Sequence, residues 1–340
     1  MAKDLKIEDI GEFGFIKSIM EGCNFSDDRV VKGIGDDCAV IGPYDHKVFL
    51  ISTDILVEDI HFIMEKIQPD HLGQKAVAVN LSDIAAMGGK ARHLFLSLAI
   101  PKRMSVETIH SIYDGIKAVC RRYQVNILGG DTSSSPDKLM ISVTVIGEAP
   151  EKEVMYRKGA KPGDLVYVTG TLGDSAAGLK LIKGEIFAPE AIASSLIKKH
   201  NIPFPFLEAG RIIARSQLAT AMIDLSDGLL SDLGHICDAS SVGARFFHAS
   251  IPLSRQLKEL SEINKIDPYE LAYSGGEDYR LLVTVPKKNV ETLKRMLKKE
   301  ARCYMYLVGE ITKEEGLKLV RQDGVEAPIN ATGFDHFTRP

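Results

Sequence analysis

Acidic residues in this chain gather where apolar runs end, and that placement restricts the fold more than any other feature. Asp36 and Asp37 follow Gly33-Ile34-Gly35, Asp54 follows Ser52-Thr53, Asp131 follows Gly129-Gly130, and Asp224 and Asp227 bracket Leu225-Ser226. Residues at strand ends can converge on a common edge, and carboxylates gathered there repel one another unless hard cations neutralise them. Magnesium, several ions of it, is the expected partner, because its octahedral oxygen demand suits carboxylates with hydroxyls such as those of Ser52 and Thr53. A single Asp-Gly or Gly-Asp is usually only a turn, since Asp tolerates left-handed backbone and caps nearby amides. The set together, rather than any one motif, points to a metal site. Asp83 is its least turn-like member: it lies in a helical stretch among Ala and Val, where Asp is a poor helix former, with Asn80 one turn earlier on the same face. A solvated helix face is the plain alternative there.

Apolar runs bounded by Gly, Pro and Asp predict strands at Val48–Ile51, His93–Ile100, Val125–Leu128, Leu139–Ile146, Leu165–Thr169, Thr220–Ile223, Leu281–Val285 and Met305–Val308. Helical spacing predicts helices over Pro69–Met87 and Ser105–Tyr123, another after Gly173, and one over Ser226–Cys237. The mixture implies an α/β or α+β protein, and 340 residues favour two lobes. The turn-rich Arg157–Gly163 places the boundary near residue 150, giving units 1–150 and 151–340. With 45% hydrophobic and 26% charged residues the chain can bury two cores, and a net charge of −4 offers no basic field for nucleic acid or an anionic membrane. Five cysteines without a CxxC pair suit reduced thiols in cytoplasm, and no stretch approaches 18 apolar residues.

Glycine-bearing turns offer phosphate cradles. Gly129-Gly130-Asp131-Thr132 would let backbone amides approach a phosphate while Asp131 reaches a metal, and Gly170–Gly178 opens a helix whose first N–H groups face outward. Ordinary turns and close helix–strand packing explain such strings too. No GxxxxGK[ST] loop and no HRD or DFG signature occurs, so a nucleotide would be held through metal-bridged oxygens. Arg157 is a candidate phosphate clamp, or else a surface linker cation. His61 and Glu277 are candidate hydrogen-bonding groups for a substrate, and Phe334 could stack on a planar cationic ring or simply pin the tail.

The strings Gly-Ile-Gly-Asp-Asp-Cys-Ala at 33–39, Ser-Thr-Asp at 52–54, His-Phe at 61–62 and Ala-Val-Asn-Leu-Ser-Asp-Ile-Ala-Ala-Met-Gly at 78–88 resemble the thiamine-monophosphate kinase family. So do Ile-Leu-Gly-Gly-Asp-Thr at 127–132, Gly-Ala-Lys-Pro-Gly-Asp at 159–164, Ile-Asp-Leu-Ser-Asp-Gly-Leu at 223–229, Ser-Gly-Gly-Glu-Asp-Tyr at 274–279 and Gly-Phe-Asp-His-Phe at 333–337. The resemblance runs from about Gly11 to the end. It implies the two-lobed fold of aminoimidazole ribonucleotide synthetase, with an N-terminal domain that dimerises through a sheet or barrel and a C-terminal α/β domain closing the cleft. It implies magnesium at Asp37, Ser52, Thr53, Asp54, Asp83, Asp131, Asp224 and Asp227, and ATP at Tyr113, Gly130, Asp131, Arg157 and Ser226. It implies thiamine monophosphate at His61, Glu277 and Phe334. Asp36 would support Asp37 from behind. Departures fall at Asp59, where the family often has Gly, at Ser133–Ser135 in place of a loop that often carries Arg, and at Arg280 where an acid is common.

The implied reaction transfers the γ-phosphoryl of ATP to the ester's own phosphate. A phosphate monoester loses its second proton near pH 6, so no dedicated base is expected, and no catalytic residue besides the metal site stands out. The alternatives are another enzyme of the same superfamily, such as aminoimidazole ribonucleotide synthetase or selenophosphate synthetase, and a non-catalytic divalent-metal-binding protein. Cys23 lacks the setting of the second one's reactive thiol.

Overall fold

The structure, a computed structural model, describes residues 6–23, 25–26, 28–330 and 333–337. Helix α1 (Ile7–Ile19) precedes strands β1 (Val30–Lys32), β2 (Ala39–Tyr44) and β3 (Lys47–Val57). Helix α2 (Pro69–Ala86), β4 (Lys90–Pro101), α3 (Val106–Tyr123), β5 (Asn126–Ser135) and β6 (Met140–Pro150) follow. They form a six-stranded sheet in the order β1-β2-β3-β6-β4-β5, open at both edges rather than closed as a barrel within the chain. Within this sheet, among the described residues, only β4 and β5 pair in parallel, joined by the crossover helix α3.

The second half contains β7 (Asp164–Val168), α4 (Asp174–Lys183), α5 (Glu190–Asn201), α6 (Leu207–Ser216), β8 (Ala221–Asp224), α7 (Leu229–Ser240) and β9 (Gly243–Phe247). It continues with α8 (Arg255–Asn264), α9 (Pro268–Ser274), β10 (Leu281–Pro286), α10 (Val290–Glu300), β11 (Tyr306–Thr312), β12 (Gly316–Val320) and β13 (Glu326–Ile329). Its seven-stranded sheet runs β13-β12-β9-β11-β7-β10-β8.

Helix α2 is the centre of the molecule. It starts with Pro69 at its first turn, where the missing N–H is no loss, and it stops before Gly88, whose φ of 71° suits glycine. Thirteen of its 18 residues are buried, because it packs on α3, on β3 and β6, and on α6 and β8 of the second half. Its buried polar residues, Lys75, Asn80 and Ser82, therefore face other protein groups rather than water. The crossing with α3 is close enough to require glycine on both sides: a Cβ at Gly73 would lie 1.9 Å from the Ile112 carbonyl oxygen, and one at Gly115 1.9 Å from that of Asp70. Buried side chains of α2, α6, β8 and β10 form one continuous core, so the two halves share an apolar interior.

Three expectations are corrected. Gly129-Gly130-Asp131 is not a loop but lies inside β5, where each glycine has φ of 157° and a Cβ at Gly130 would sit 1.6 Å from the Leu96 carbonyl oxygen. The helix expected from Ser226 begins at Leu229, because Gly228 at φ 119° ends a turn that aims Asp227. The first amides of α4 do not face outward: Gly173 N–H and Ser175 N–H donate to the Asp278 carboxylate at 2.7 and 3.3 Å.

Replacing Gly73 by Val should force α2 and α3 apart and cost about 3 kcal/mol of stability, a typical overpacking penalty. Thermal unfolding would report it as a drop of several degrees, and an unchanged Tm would show that the crossing is slack.

Candidate active site

Three short acidic segments meet at the C-terminal half of α2. Asp37 sits on the turn before β2, Asp83 on α2, and Asp224 at the last position of β8, and one carboxylate oxygen from each lies within 4.8 Å of the others. Strand alternation on β3 turns Ser52 and Asp54 toward α2. The Ser52 hydroxyl donates to Asp83 Oδ2, the Ser82 hydroxyl donates to Asp224 Oδ2 at 2.6 Å, and the Asp54 N–H donates to Asn80 Oδ1 at 3.2 Å. Thr53 points to the other face of the sheet, where its hydroxyl meets that of Thr144 at 3.0 Å.

Burial sets the electrostatics. It pushes the Asp224 carboxyl up to about 8, with the Asp37 charge adding to the effect, and the Asp227 carboxyl up to about 7. Asp54 and Asp36 both rise to about 6, chiefly from burial. Asp83 is raised well above the carboxylate range by burial and then by the charges of Asp54, Asp224 and Asp37. Arg157 answers part of this charge: its Nε donates to Asp37 Oδ1 at 3.0 Å, and Nη2 shares the same oxygen. The second Asp37 oxygen is buried and has no hydrogen-bond partner. Clustered oxygens, one of them orphaned, form the donor set a hard divalent cation takes.

A second group, Asp227, Asp232 and His235, lies beside the first, with ligand atoms also within 4.8 Å of one another. Asp232 accepts from the N–H groups of Asp227 and Gly228 at 3.3 and 3.1 Å and so fixes the turn that carries Asp227. Phe334 N–H donates to the Asp227 carbonyl at 3.0 Å, which brings the C-terminal segment over the site.

The residues expected to meet a substrate form a neighbouring group. The Phe334 ring stands edge-on to His336 with centroids 4.8 Å apart, and His336 lies 4.9 Å from His61. His61 Nδ1 accepts from the Val57 N–H at 3.0 Å. Glu277 follows Ser226 in space, its N–H donating to the Ser226 carbonyl at 2.7 Å, and its carboxylate meets the Lys75 ammonium at 2.9 Å.

Besides Thr53, three expected residues stand apart. Asp131 is exposed on edge strand β5, three strands from β3, or about 14 Å at the usual strand spacing, and it is not among the converging carboxylates. Gly130 shares that position, and Tyr113 lies half-buried on α3 with the Lys117 ammonium 6.0 Å from its ring. The sequence reading missed Lys75, His200, Asp232 and His235. The signal for Lys75 was a charged residue directly before the apolar run Ala76–Val79, and for Asp232 an acid between Leu230 and Leu233 in an apolar helical stretch.

Residues 35–149 match the N-terminal domain, and residues 161–322 the C-terminal domain, of the family AIR synthase related protein. The thiamine-monophosphate kinase of Buchnera aphidicola subsp. Schizaphis graminum is 42% identical over 96% of this chain and 98% of its own. That of Escherichia coli is 40% identical over 97% and 99%. The solved structure of AaThiL complexed with AMPPCP and TMP superposes with a TM-score of 0.85 at 34% identity, covering 98% of this chain and 99% of that one. With its acidic cluster at the junction of the two domains, the chain belongs to the thiamine-monophosphate kinase family of AIR synthase related proteins.

Proposed function

We infer that this protein uses ATP to phosphorylate thiamine monophosphate, giving thiamine diphosphate. The observation that carries the reading is the cluster of Asp37, Asp83 and Asp224 with its orphaned Asp37 oxygen, in a chain whose full-length relatives are thiamine-monophosphate kinases. A relative that holds AMPPCP and TMP together supports both substrates.

Magnesium would be held by Asp37, Asp54, Asp83, Asp224 and Asp227, with the Ser52 hydroxyl as a further oxygen donor; the Thr53 hydroxyl faces the other side of the sheet, which leaves that residue only its backbone carbonyl to offer. When bound, it supplies the charge neutralisation that lets two anionic phosphates approach. Arg157 keeps Nε and Nη2 on Asp37, and its remaining Nη1 is the donor we assign to a nucleotide phosphate oxygen. Ser226 lies between Asp224 and Asp227 on the same turn and is assigned to the nucleotide with it. Gly130, Asp131 and Tyr113, away from the cluster, are assigned to more distant parts of the nucleotide, Asp131 with a further ion. His61, Glu277 and Phe334 are assigned to thiamine monophosphate. No side chain needs to remove a proton, because the acceptor phosphate, with a second pKa of about 6, is already mostly dianionic at neutral pH.

Residues 1–150 and 151–340 are proposed as two units, the first carrying most of the metal ligands and the second closing over the substrates. The open face of the six-stranded sheet exposes Phe49, Ile55 and Phe95, which supports a homodimer through that sheet. Among the described residues no helix is long and apolar enough to cross a membrane, and all five cysteines are free thiols, which supports a cytoplasmic setting.

ADP release with ATP and magnesium, compared for thiamine monophosphate, free thiamine and no acceptor, tests the reading. Activity is expected with thiamine monophosphate, with the diphosphate found by mass spectrometry. Silence with every acceptor would leave a metal-binding protein of the same fold.

Asp83→Asn should lower kcat by roughly 100-fold or more, as loss of a charge-stabilising group does. Its Tm in chelator should hold or rise, since one repelling charge is gone from a buried cluster. A near-native rate would remove Asp83 from the metal site.

Carboxylates whose pKa is raised on folding bind protons more tightly in the folded state, so they favour folding at low pH and oppose it as pH rises from about 4 to 8. The chelated protein should therefore lose Tm between pH 5.5 and 8, and magnesium should raise Tm more at pH 8. An equal increment at both pH values would contradict a cation at these carboxylates.

A further inference from the structure

Glu277 is partly buried and held at a positive φ of 64°, a conformation rare for a residue with a side chain and maintained here by the hydrogen bond of its N–H to Ser226. Its carboxylate has little freedom. Lys75 Nζ lies 2.9 Å from Oε1 and 3.0 Å from Oε2, so the ammonium bridges both oxygens. Lys75 is fully buried and has two further contacts, with the His61 carbonyl at 3.1 Å and His200 Nε2 at 3.4 Å. An ammonium only donates, so Nε2 of His200 must accept, and the ring proton is thereby placed on Nδ1. That nitrogen lies 3.2 Å from Glu277 Oε2 and 3.0 Å from the Ser175 hydroxyl. Burial lowers the His200 pKa to about 4, with the Lys75 charge reinforcing the effect, so the ring is neutral at physiological pH.

We propose that Lys75 and His200 are positioning residues for substrate selection: they hold the Glu277 carboxylate fixed and acceptor-only, so that it reads the amino group on the pyrimidine of thiamine monophosphate. This rests on the function inferred above. A carboxylate offers about four lone-pair positions, and Lys75 and His200 take about three, leaving one for a single N–H donor. A substrate presenting a carbonyl or hydroxyl oxygen there would meet a second acceptor and a buried negative charge. The titratable groups that face Glu277 are Lys75 from α2, His200 from α5 and His61 from the segment after β3. Burial alone would raise the Glu277 pKa, and Lys75 and then His200 reverse that and keep the group ionised.

The test compares the full-length wild type with Lys75→Met, Glu277→Gln and the double variant. Steady-state kinetics would be run across pH 5.5 to 8.5 with thiamine monophosphate and with its analogue carrying a 4-hydroxyl in place of the 4-amino group. In Lys75→Met the KM for thiamine monophosphate should rise about 10-fold or more, the scale of a hydrogen bond to a charged group, with the KM for ATP within about twofold. The acid limb of kcat/KM should move toward neutral pH, and the preference for amino over hydroxyl should shrink. The double variant should match Glu277→Gln, since no carboxylate remains to be held.

Several results would overturn the proposal: a KM and pH profile like the wild type's, equal rises in KM for both substrates, or additive effects in the double variant. Should Lys75→Met fail to fold, His200→Asn provides the same comparison. It should raise the KM for thiamine monophosphate and weaken the amino preference, and unchanged values would likewise overturn the proposal. A wild type inactive on thiamine monophosphate would remove the underlying reading, whereas an active wild type with unaltered variants would remove only the roles of Lys75 and His200.

Discussion

The carboxylates of Asp37, Asp83 and Asp224 lie within 4.8 Å of one another, two of the three residues buried, and the surrounding structure is organised around their repulsion. Left alone, such a cluster would protonate or open. It is held from several directions. Ser52 and Ser82 donate to Asp83 and Asp224, Asn80 fixes the backbone of Asp54, and Arg157 compensates Asp37 on one side only. The other Asp37 oxygen is left for a ligand that the polypeptide does not supply.

These contacts depend on a helix that has almost no solvent-facing side. Glycines at the α2–α3 crossing bring the helix close to its neighbour, and Gly210 does the same for α6, where a Cβ would lie 2.1 Å from the Ala85 carbonyl oxygen. The second half of the chain packs on the same helix, so Asp224 and Glu277 take their positions relative to residues of the first half. Lys75 and Asp83 are eight residues apart on α2, about 12 Å at the helical rise. One rigid element thus carries both the end proposed to read the substrate and the end proposed to hold the metal.

The strands were legible as apolar runs, and the acidic set because two of those runs lead into carboxylates, Val48–Ile51 into Asp54 and Ala221–Ile223 into Asp224. Asp83 was legible through its misfit to a helix interior. Less visible were strands β9, β12 and β13, whose short segments include charged residues such as Arg245, Lys318 and Glu326, and the amphipathic helices α5, α6, α8 and α10. Gly129-Gly130-Asp131 was read as a loop because glycine pairs usually mark turns. Close approach to β4 has the same composition, and only the pairing register separates the two. Lys75 and His200 were hidden for a different reason: their meaning lies in a contact between positions 125 and 202 residues apart, which no local pattern encodes.

The most direct test of a cation-stabilised carboxylate cluster is crystallography of the protein with manganese in place of magnesium, together with a non-hydrolysable ATP analogue and thiamine monophosphate. An anomalous-scattering map should show an ion between Asp37, Asp83 and Asp224, bonded to the Asp37 oxygen that has no protein partner and to a nucleotide phosphate. Manganese bound only elsewhere, with those three carboxylates still facing one another and the nucleotide in place, would contradict it.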